Sequence, residues 1–259
     1  MLVPRVIPCL LLRGSGLVKT IRFGDEVYLG DPINIARIFN DKEVDELVVL
    51  DIGAPREHRP PSREMIARLA SECFMPLCYG GGVASLGDMR DLFGAGVEKV
   101  AVNTAAVESP GLVRAAAGEF GSQSLVVSID AAARGNGEYR VVTRGGTRRT
   151  GLEVRAFAQQ MEAEGAGEIL LTSIDRDGTR QGYDLDLVRS VTGAVTIPVI
   201  ACGGAGTIDH LAAAVVEGGA SAAGAGSLFV FQGRHRAVLI SYPGKDELAE
   251  AFARQERAG

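Results

Sequence analysis

Met75-Pro-Leu-Cys-Tyr-Gly-Gly-Gly-Val83 returns 122 residues later as Ile197-Pro-Val-Ile-Ala-Cys-Gly-Gly-Ala205. In each copy a short apolar run with Pro near its start stops at consecutive glycines. That is the pattern of a buried strand ending in a tight turn. The same offset pairs Glu46, in Asp45-Glu-Leu-Val-Val-Leu-Asp51, with Glu168, in Gly167-Glu-Ile-Leu-Leu-Thr-Ser173. It also pairs Gly96 with Gly218. A repeat of about half the chain predicts two four-unit halves, about 1–120 and 121–259.

Working outward, apolar strand-like runs fall at 5–11, 46–52, 76–79, 98–103, 124–130, 167–173, 197–202 and 220–225, with helical stretches between them. This order predicts an α/β fold, a (β/α)8 TIM barrel forming one domain over residues 1–259. Asp31-Pro32, Ser85 and Thr207 are expected helix starts, because their side-chain oxygens suit the N-cap and Pro suits the first helical position. The segment 131–150 is the expected excursion. Glu138–Arg144, Gly145-Gly146 and Thr147–Thr150 read there as a hairpin, and 230–244 reads as a second irregular stretch.

The net charge of -5 and the absence of Trp argue against nucleic acid or an anionic membrane as partner. The apolar run between Arg5 and Arg13 is too brief and too charged for a signal peptide, and no run reaches transmembrane length. A cytoplasmic location is expected. Cys9, Cys73, Cys78 and Cys202 lack metal-ligand spacing and are read as reduced thiols. His58, His210 and His235 also lack it and are read as surface or helix residues. No metal and no cofactor are expected.

The glycine turns carry the first functional signal. Gly80-Gly81-Gly82 follows the third strand and Gly203-Gly204-Ala205-Gly206 the seventh. Glycine there lets backbone N–H groups approach an anion. Gly226-Ser227 after strand eight and Asn103-Thr104 after strand four complete two candidate phosphate sites on opposite sides of the mouth. They would suit a phosphorylated small molecule with a phosphate at each end. Plain tight turns are the alternative reading. Carboxylates end three strands: Asp130 the fifth, Asp51 the second, and Asp175 with Asp177 the sixth. Asp51 reads more as a loop-ordering group. Arg148-Arg149 and Arg234/Arg236 are candidates for a phosphate or partner, with solvated loops as the plainer reading.

The chain resembles the cyclase subunit of imidazole glycerol phosphate synthase over nearly its whole length. Arg5-Val-Ile-Pro-Cys9, Asp45–Ile52, Lys99-Val-Ala-Val-Asn-Thr-Ala-Ala-Val-Glu108 and Gly165–Thr179 carry the likeness. The resemblance implies a barrel that receives ammonia from a glutaminase subunit docked at its bottom, as a heterodimer. At the top such a barrel joins ammonia to a bis-phosphorylated ribulosyl nucleotide. It also implies a charged ring at the ammonia entrance, matched here by Arg5, Glu46, Lys99 and Glu168. It places Lys19 in a flexible first loop, and Asp177 and Gly178 beside the ligand.

The family uses one Asp at the end of strand one and another at the end of strand five as acid and base. Asp130 matches the second; Leu11 stands at the first. Cys78 and Cys202 are expected at strand ends where the family has hydroxyl residues, and Tyr79 where it has a small one. With Pro8–Leu12, Gly16–Thr20 and Gly226–Gly233 through Pro243, these departures are similar to a paralogous branch from surface-polysaccharide and nonulosonate sugar clusters.

That branch implies a relay of ammonia to an ATP-dependent sugar amidotransferase, turning an acetamido into an acetamidino group. The alternative is an active cyclase making imidazole glycerol phosphate and the aminoimidazole carboxamide ribonucleotide. A sugar-phosphate isomerase barrel and a non-catalytic scaffold are further readings. Leu11 counts against the isomerase as it does against the cyclase.

Overall fold

The structure is a computed structural model and describes residues 4–233 and 235–258. Eight strands close on themselves: β1 (Arg5–Arg13), β2 (Leu47–Asp51), β3 (Leu77–Gly80), β4 (Lys99–Val102), β5 (Leu125–Gly135), β6 (Glu168–Ser173), β7 (Val199–Cys202) and β8 (Ala222–Ala225). Every neighbouring pair is parallel, and β8 returns to β1 with Ala222 beside Arg5. Eight helices clad the outside: α1 (Pro32–Asp41), α2 (Arg63–Ala70), α3 (Leu86–Gly94), α4 (Gly111–Phe120), α5 (Val154–Ala163), α6 (Leu185–Thr192), α7 (Ile208–Val216) and α8 (Lys245–Ala258). This is the expected (β/α)8 barrel.

The expected helix starts are built as caps. Asp31 accepts the Asn34 N–H at 2.9 Å, Ser85 and Asp88 form a reciprocal capping box, and Thr207 accepts the His210 N–H at 3.3 Å. Each satisfies N–H groups that the first turn of a helix leaves free.

The sequence repeat is also a repeat of strand register. Leu47 lies opposite Leu77 and Leu50 opposite Gly80; 122 residues on, Ile169 lies opposite Val199 and Thr172 opposite Cys202. One pairing is corrected. The structural twin of Gly96 is Gly219, not Gly218, because Cys78 faces Lys99 while Ile200 faces Ala222, one residue further along. Gly96 and Gly219 share a left-handed φ, 98° and 73°.

Alternation along each strand sends one set of side chains inward and the other toward the helices. The lumen is plugged by Ile7, Val48, Cys78, Val126, Leu170, Ile200 and Ala222. Cys78 therefore belongs to this apolar plug and is not a mouth residue. Tyr79, its neighbour, points outward into the helix-packed layer and does not narrow the lumen.

The largest departure from expectation is at β1 and β5. Neither stops at the mouth. β1 runs on to Arg13, turns at Gly14-Ser15 and returns as Gly16–Lys19, which pairs in turn with Val27–Gly30. β5 likewise runs on and pairs with Glu138–Thr143, which pairs with Arg148–Glu153. The second excursion contains the expected hairpin. The first replaces the expected flexible loop, and Lys19 within it is only 6% exposed. Gly14, with φ of 60°, makes the two-residue turn possible. The stretch 230–244 holds a small hairpin, Phe231–Gln232 with Ala237–Val238. Among the described residues no helix is long and apolar enough to cross a membrane.

Candidate functional site

At the floor, β1, β2, β4 and β6 each begin with, or just after, one ionisable residue. Arg5 Nη1 lies 2.7 Å from Glu46 Oε2, and its Nη2 bonds Glu168. Lys99 Nζ reaches Glu46 at 3.0 Å and Glu168 at 2.9 Å. The four groups thus form a closed ring of alternating sign. Burial opposes the charges on Arg5 and Lys99, yet the two carboxylates outweigh it and raise the pKa of both cations. Glu46 is 3% exposed and its Oε1 has no hydrogen-bond partner, so all its pairing falls on one oxygen.

At the opposite end the strand ends surround a cavity of about 400 Å³. Many of the residues expected at the mouth line it: Leu11, Lys19, Gly81, Gly82, Asn103, Thr104, Asp130, Asp177, Gly178, Gly203, Gly204, Gly226 and Ser227. The first excursion folds over β6 and buries Lys19 against Asp177 at 2.7 Å. Thr20 Oγ1 donates to the same carboxylate at 3.0 Å. The Arg22 N–H donates to the Asp177 carbonyl at 2.9 Å, so the contact is held by backbone as well.

Register identifies the counterpart of Asp130. Asp130 lies beside Thr172 on β6, and Leu11 beside Leu50 on β2; Leu50 and Thr172 are 122 residues apart, twins in the repeat. Leu11 is therefore the structural twin of Asp130. The pair is hydrophobic on one side of the mouth and acidic on the other. Burial, and then the charge of Asp177, push the Asp130 carboxyl up to about 7. Asn103 Nδ2 donates to it at 3.4 Å. Leu11 offers it no second titrating group.

The glycine turns have a demand of their own. A Cβ on Gly81 would sit 2.2 Å from the Asp51 carbonyl oxygen, and one on Gly203 would sit 2.6 Å from the Ser173 carbonyl oxygen. Asp51 and Ser173 are themselves twins at the 122-residue offset. Both glycines also hold positive φ, 111° and 89°. Chain packing alone thus requires them. Ser227 carries a different signal: it is 4% exposed, lines the cavity, and its hydroxyl has no partner. A buried hydroxyl left unpaired is unusual and favours an incoming hydrogen-bonding group.

Of the other candidates, Asp51, His58 and Cys202 also line the cavity, whereas Asp175, Arg148, Arg149 and Arg236 fall outside it. Asp175 receives the Ala133 N–H at 2.8 Å and ties the β5 excursion down. Arg148 pairs with Glu108 at 2.7 Å, and Arg149 is exposed. Arg236 stacks on Phe231 at 5.4 Å and donates to the Gly178 carbonyl; Arg234 lies outside the described residues. Asp51 accepts the Gly53 and Ala54 N–H groups at 2.9 and 3.0 Å and pairs with Arg59 at 2.9 Å. It orders the β2 loop. Of the histidines, His58 is exposed, as expected of a surface residue, and stands at the rim of the cavity. His210 Nδ1 accepts the Gly206 N–H at 3.1 Å, and His235 is exposed. Cys202 lines the mouth beside Cys9, whose thiol donates to the Ile7 carbonyl at 3.6 Å; the neighbouring Cys202 and burial push the Cys9 thiol well up, so Cys9 stays neutral.

Sequence reasoning missed Ser128, Thr172 and Arg56. The first two are inward strand residues, findable by parity; Thr172 is also marked as the twin of Leu50. Arg56 had no signal. It donates to the Phe23 carbonyl at 3.4 Å and the Gly145 carbonyl at 2.9 Å, clasping the two excursions together across the mouth.

Fold and site together define a (β/α)8 barrel with a cavity at the carboxyl ends of its strands and a charged ring at the other end. The model of the family described as histidine biosynthesis protein matches residues 5–236. A Pseudomonas aeruginosa protein named "Putative imidazole glycerol phosphate synthase subunit hisF2" is 52% identical over 94% of this chain and 97% of its own length. The imidazole glycerol phosphate synthase subunit HisF of Hyphomonas neptunium is 48% identical over 100% of this chain and 98% of its own. The chain belongs to the HisF family of imidazole glycerol phosphate synthase cyclase subunits.

Proposed function

We propose that this chain, working as one domain over residues 1–259 in the cytoplasm, accepts ammonia from a glutaminase subunit at its floor and relays it upward. The relayed ammonia serves amidation of a sugar in surface-glycan biosynthesis, acetamido to acetamidino, with an ATP-dependent sugar amidotransferase as the activating partner. The observation that carries this reading is the contrast between a closed ring of four charges below and Leu11 opposite Asp130 above.

Chemistry supports that division. Arg5, Glu46, Lys99 and Glu168 act as the ammonia gate. Beyond them the plug of Ile7, Val48, Cys78, Val126, Leu170, Ile200 and Ala222 is apolar. A neutral amine crosses such a layer far more easily than its cation, whose desolvation is costly. At the top, losing one member of an acid–base pair lowers turnover by about 10²–10⁴-fold. Phosphate groups of a small molecule are held by the turn at Gly81, Gly82, Asn103 and Thr104 on one side. On the other they are held by Gly203, Gly204, Gly226 and the unpartnered Ser227 hydroxyl. Lys19, Asp177 and Gly178 close over it.

A second reading, an active cyclase, is favoured by the setting of Asp130: it lines the cavity beside Asn103, and burial with the charge of Asp177 pushes its carboxyl up to about 7, suited to acid–base exchange. The deciding experiment is turnover of the bis-phosphorylated ribulosyl nucleotide by the purified chain, with ammonium salt at alkaline pH replacing the glutaminase. The relay reading expects no imidazole glycerol phosphate above background. Formation at the rate of a true cyclase overturns it.

A further inference from the structure

The loop joining α2 to β3 opens on the floor end of the barrel. Phe74 in this loop is 88% exposed, the most exposed large hydrophobic side chain among the described residues. An aromatic this open to water loses a large apolar burial term, yet its backbone is firmly held. Asn40 of α1 accepts the Phe74 N–H at 3.0 Å and donates its own amide to the Glu72 carbonyl. Arg37 grips the Glu72 carboxylate with two bonds, 2.9 and 2.7 Å. The ring is thus presented from a pinned backbone.

Its surroundings define what covers it. Three residues on, Leu77 lies opposite Leu47, which follows Glu46, and Cys78 lies opposite Lys99. Phe74 therefore stands on the rim between two members of the floor ring. Asp45 and Glu98, exposed carboxylates directly before Glu46 and Lys99, flank it. They are fixed as well, accepting the Val6 N–H at 3.2 Å and the Leu77 N–H at 2.7 Å. The Arg5 and Lys99 side chains, 35% and 19% exposed, open on the same face. A ring that admits ammonia must be sealed from water there, since ammonia released into neutral water is protonated.

We propose that Phe74 is the anchor by which a glutaminase subunit seats on this floor, entering an apolar socket of that subunit whose edge carries cationic side chains facing Asp45 and Glu98. The inference rests on the floor being the ammonia entrance, and it assigns the contact that holds the donor in place. Pre-ordered aromatics at the centre of an interface carry a disproportionate share of its affinity.

The test is calorimetric titration of the full chain with its own separately purified glutaminase subunit, for wild type, Phe74→Ala, Phe74→Tyr and Tyr28→Ala. Phe74→Ala is expected to weaken binding about ten-fold or more. Phe74→Tyr should stay near wild type, and every melting temperature should be unchanged. Tyr28, 66% exposed at the opposite end, serves as the control whose loss leaves binding intact. Wild-type binding with Phe74→Ala equally tight overturns the anchor while leaving the floor entrance standing. A loss with Tyr28→Ala moves the partner to the mouth and overturns both. No binding by the wild-type chain likewise removes the entrance on which the anchor depends.

Discussion

The two ends of this barrel are built from the same eight strands and differ in how their charges are balanced. At the floor, two cations and two carboxylates form a ring in which each group touches both of its opposites. At the mouth, Lys19 and Asp177 pair with each other, while Asp130 is left facing a leucine twin. The floor is a closed electrostatic circuit; the mouth is half of one. A closed circuit holds its charges in place at any neutral pH, whereas the mouth holds one group poised to gain or lose a proton. The difference separates a structure that must persist from chemistry that has room to change.

The contrast is broken most directly at the floor. Glu46→Ala leaves Arg5 and Lys99 sharing one carboxylate, and is expected to cost about 3 kcal/mol. For a chain of this size that is a fall of roughly 6–12 °C in melting temperature. A loss under about 1 kcal/mol would reduce the ring to ordinary solvated edge charges. At the mouth, Asp177→Asn strands Lys19, but the first excursion can lift and hydrate it. Chemical denaturation is therefore expected to give a smaller loss, about 2 kcal/mol. If the mouth variant proves the more damaging, the ranking of the two ends is reversed.

Asp130→Asn sharpens the comparison through pH. The folded pKa is about 7, above the unfolded value of about 3.9. The fold therefore binds this proton more tightly than the unfolded chain does. That contribution is fully present at low pH and is lost as pH rises through the folded value. Asp130→Asn should then raise stability by about 1–3 kcal/mol at pH 8.5 and leave it nearly unchanged at pH 4. Equal shifts at both pH values would show that the carboxyl is not destabilised by burial. The smallest expected effect is at Ser227. Inorganic phosphate at millimolar concentration should raise the melting temperature by about 1–2 °C, and Ser227→Ala should remove most of that gain.

The barrel and much of its mouth were legible because they rest on features that repeat. The Gly80–Gly82 and Gly203–Gly206 turns, the strand runs and the 122-residue offset mark where strands end and which ends are equivalent. The floor ring was legible because four charges stand at the start of apolar runs, where an unpaired charge would be expensive. What failed was parity and excursion. β3 is buried on both faces, so hydropathy gave no sign that Cys78 faces the lumen and Tyr79 the helices. The meander after β1 was missed because Gly16–Lys19 and Val27–Gly30 are four residues each, too short for a periodic signal. Arg56 was unreadable for a related reason: its two acceptors are backbone carbonyls of different loops, and carbonyls carry no residue code.

The glycines after β3 and β7 have a consequence for how such a chain changes over generations. Each is fixed by the carbonyl of a neighbouring turn, Asp51 for Gly81 and Ser173 for Gly203, whether or not an anion sits above it. Selection for folding alone will keep them. A lineage that abandoned its ligand would go on carrying these turns, because the packing that fixes them does not depend on the ligand.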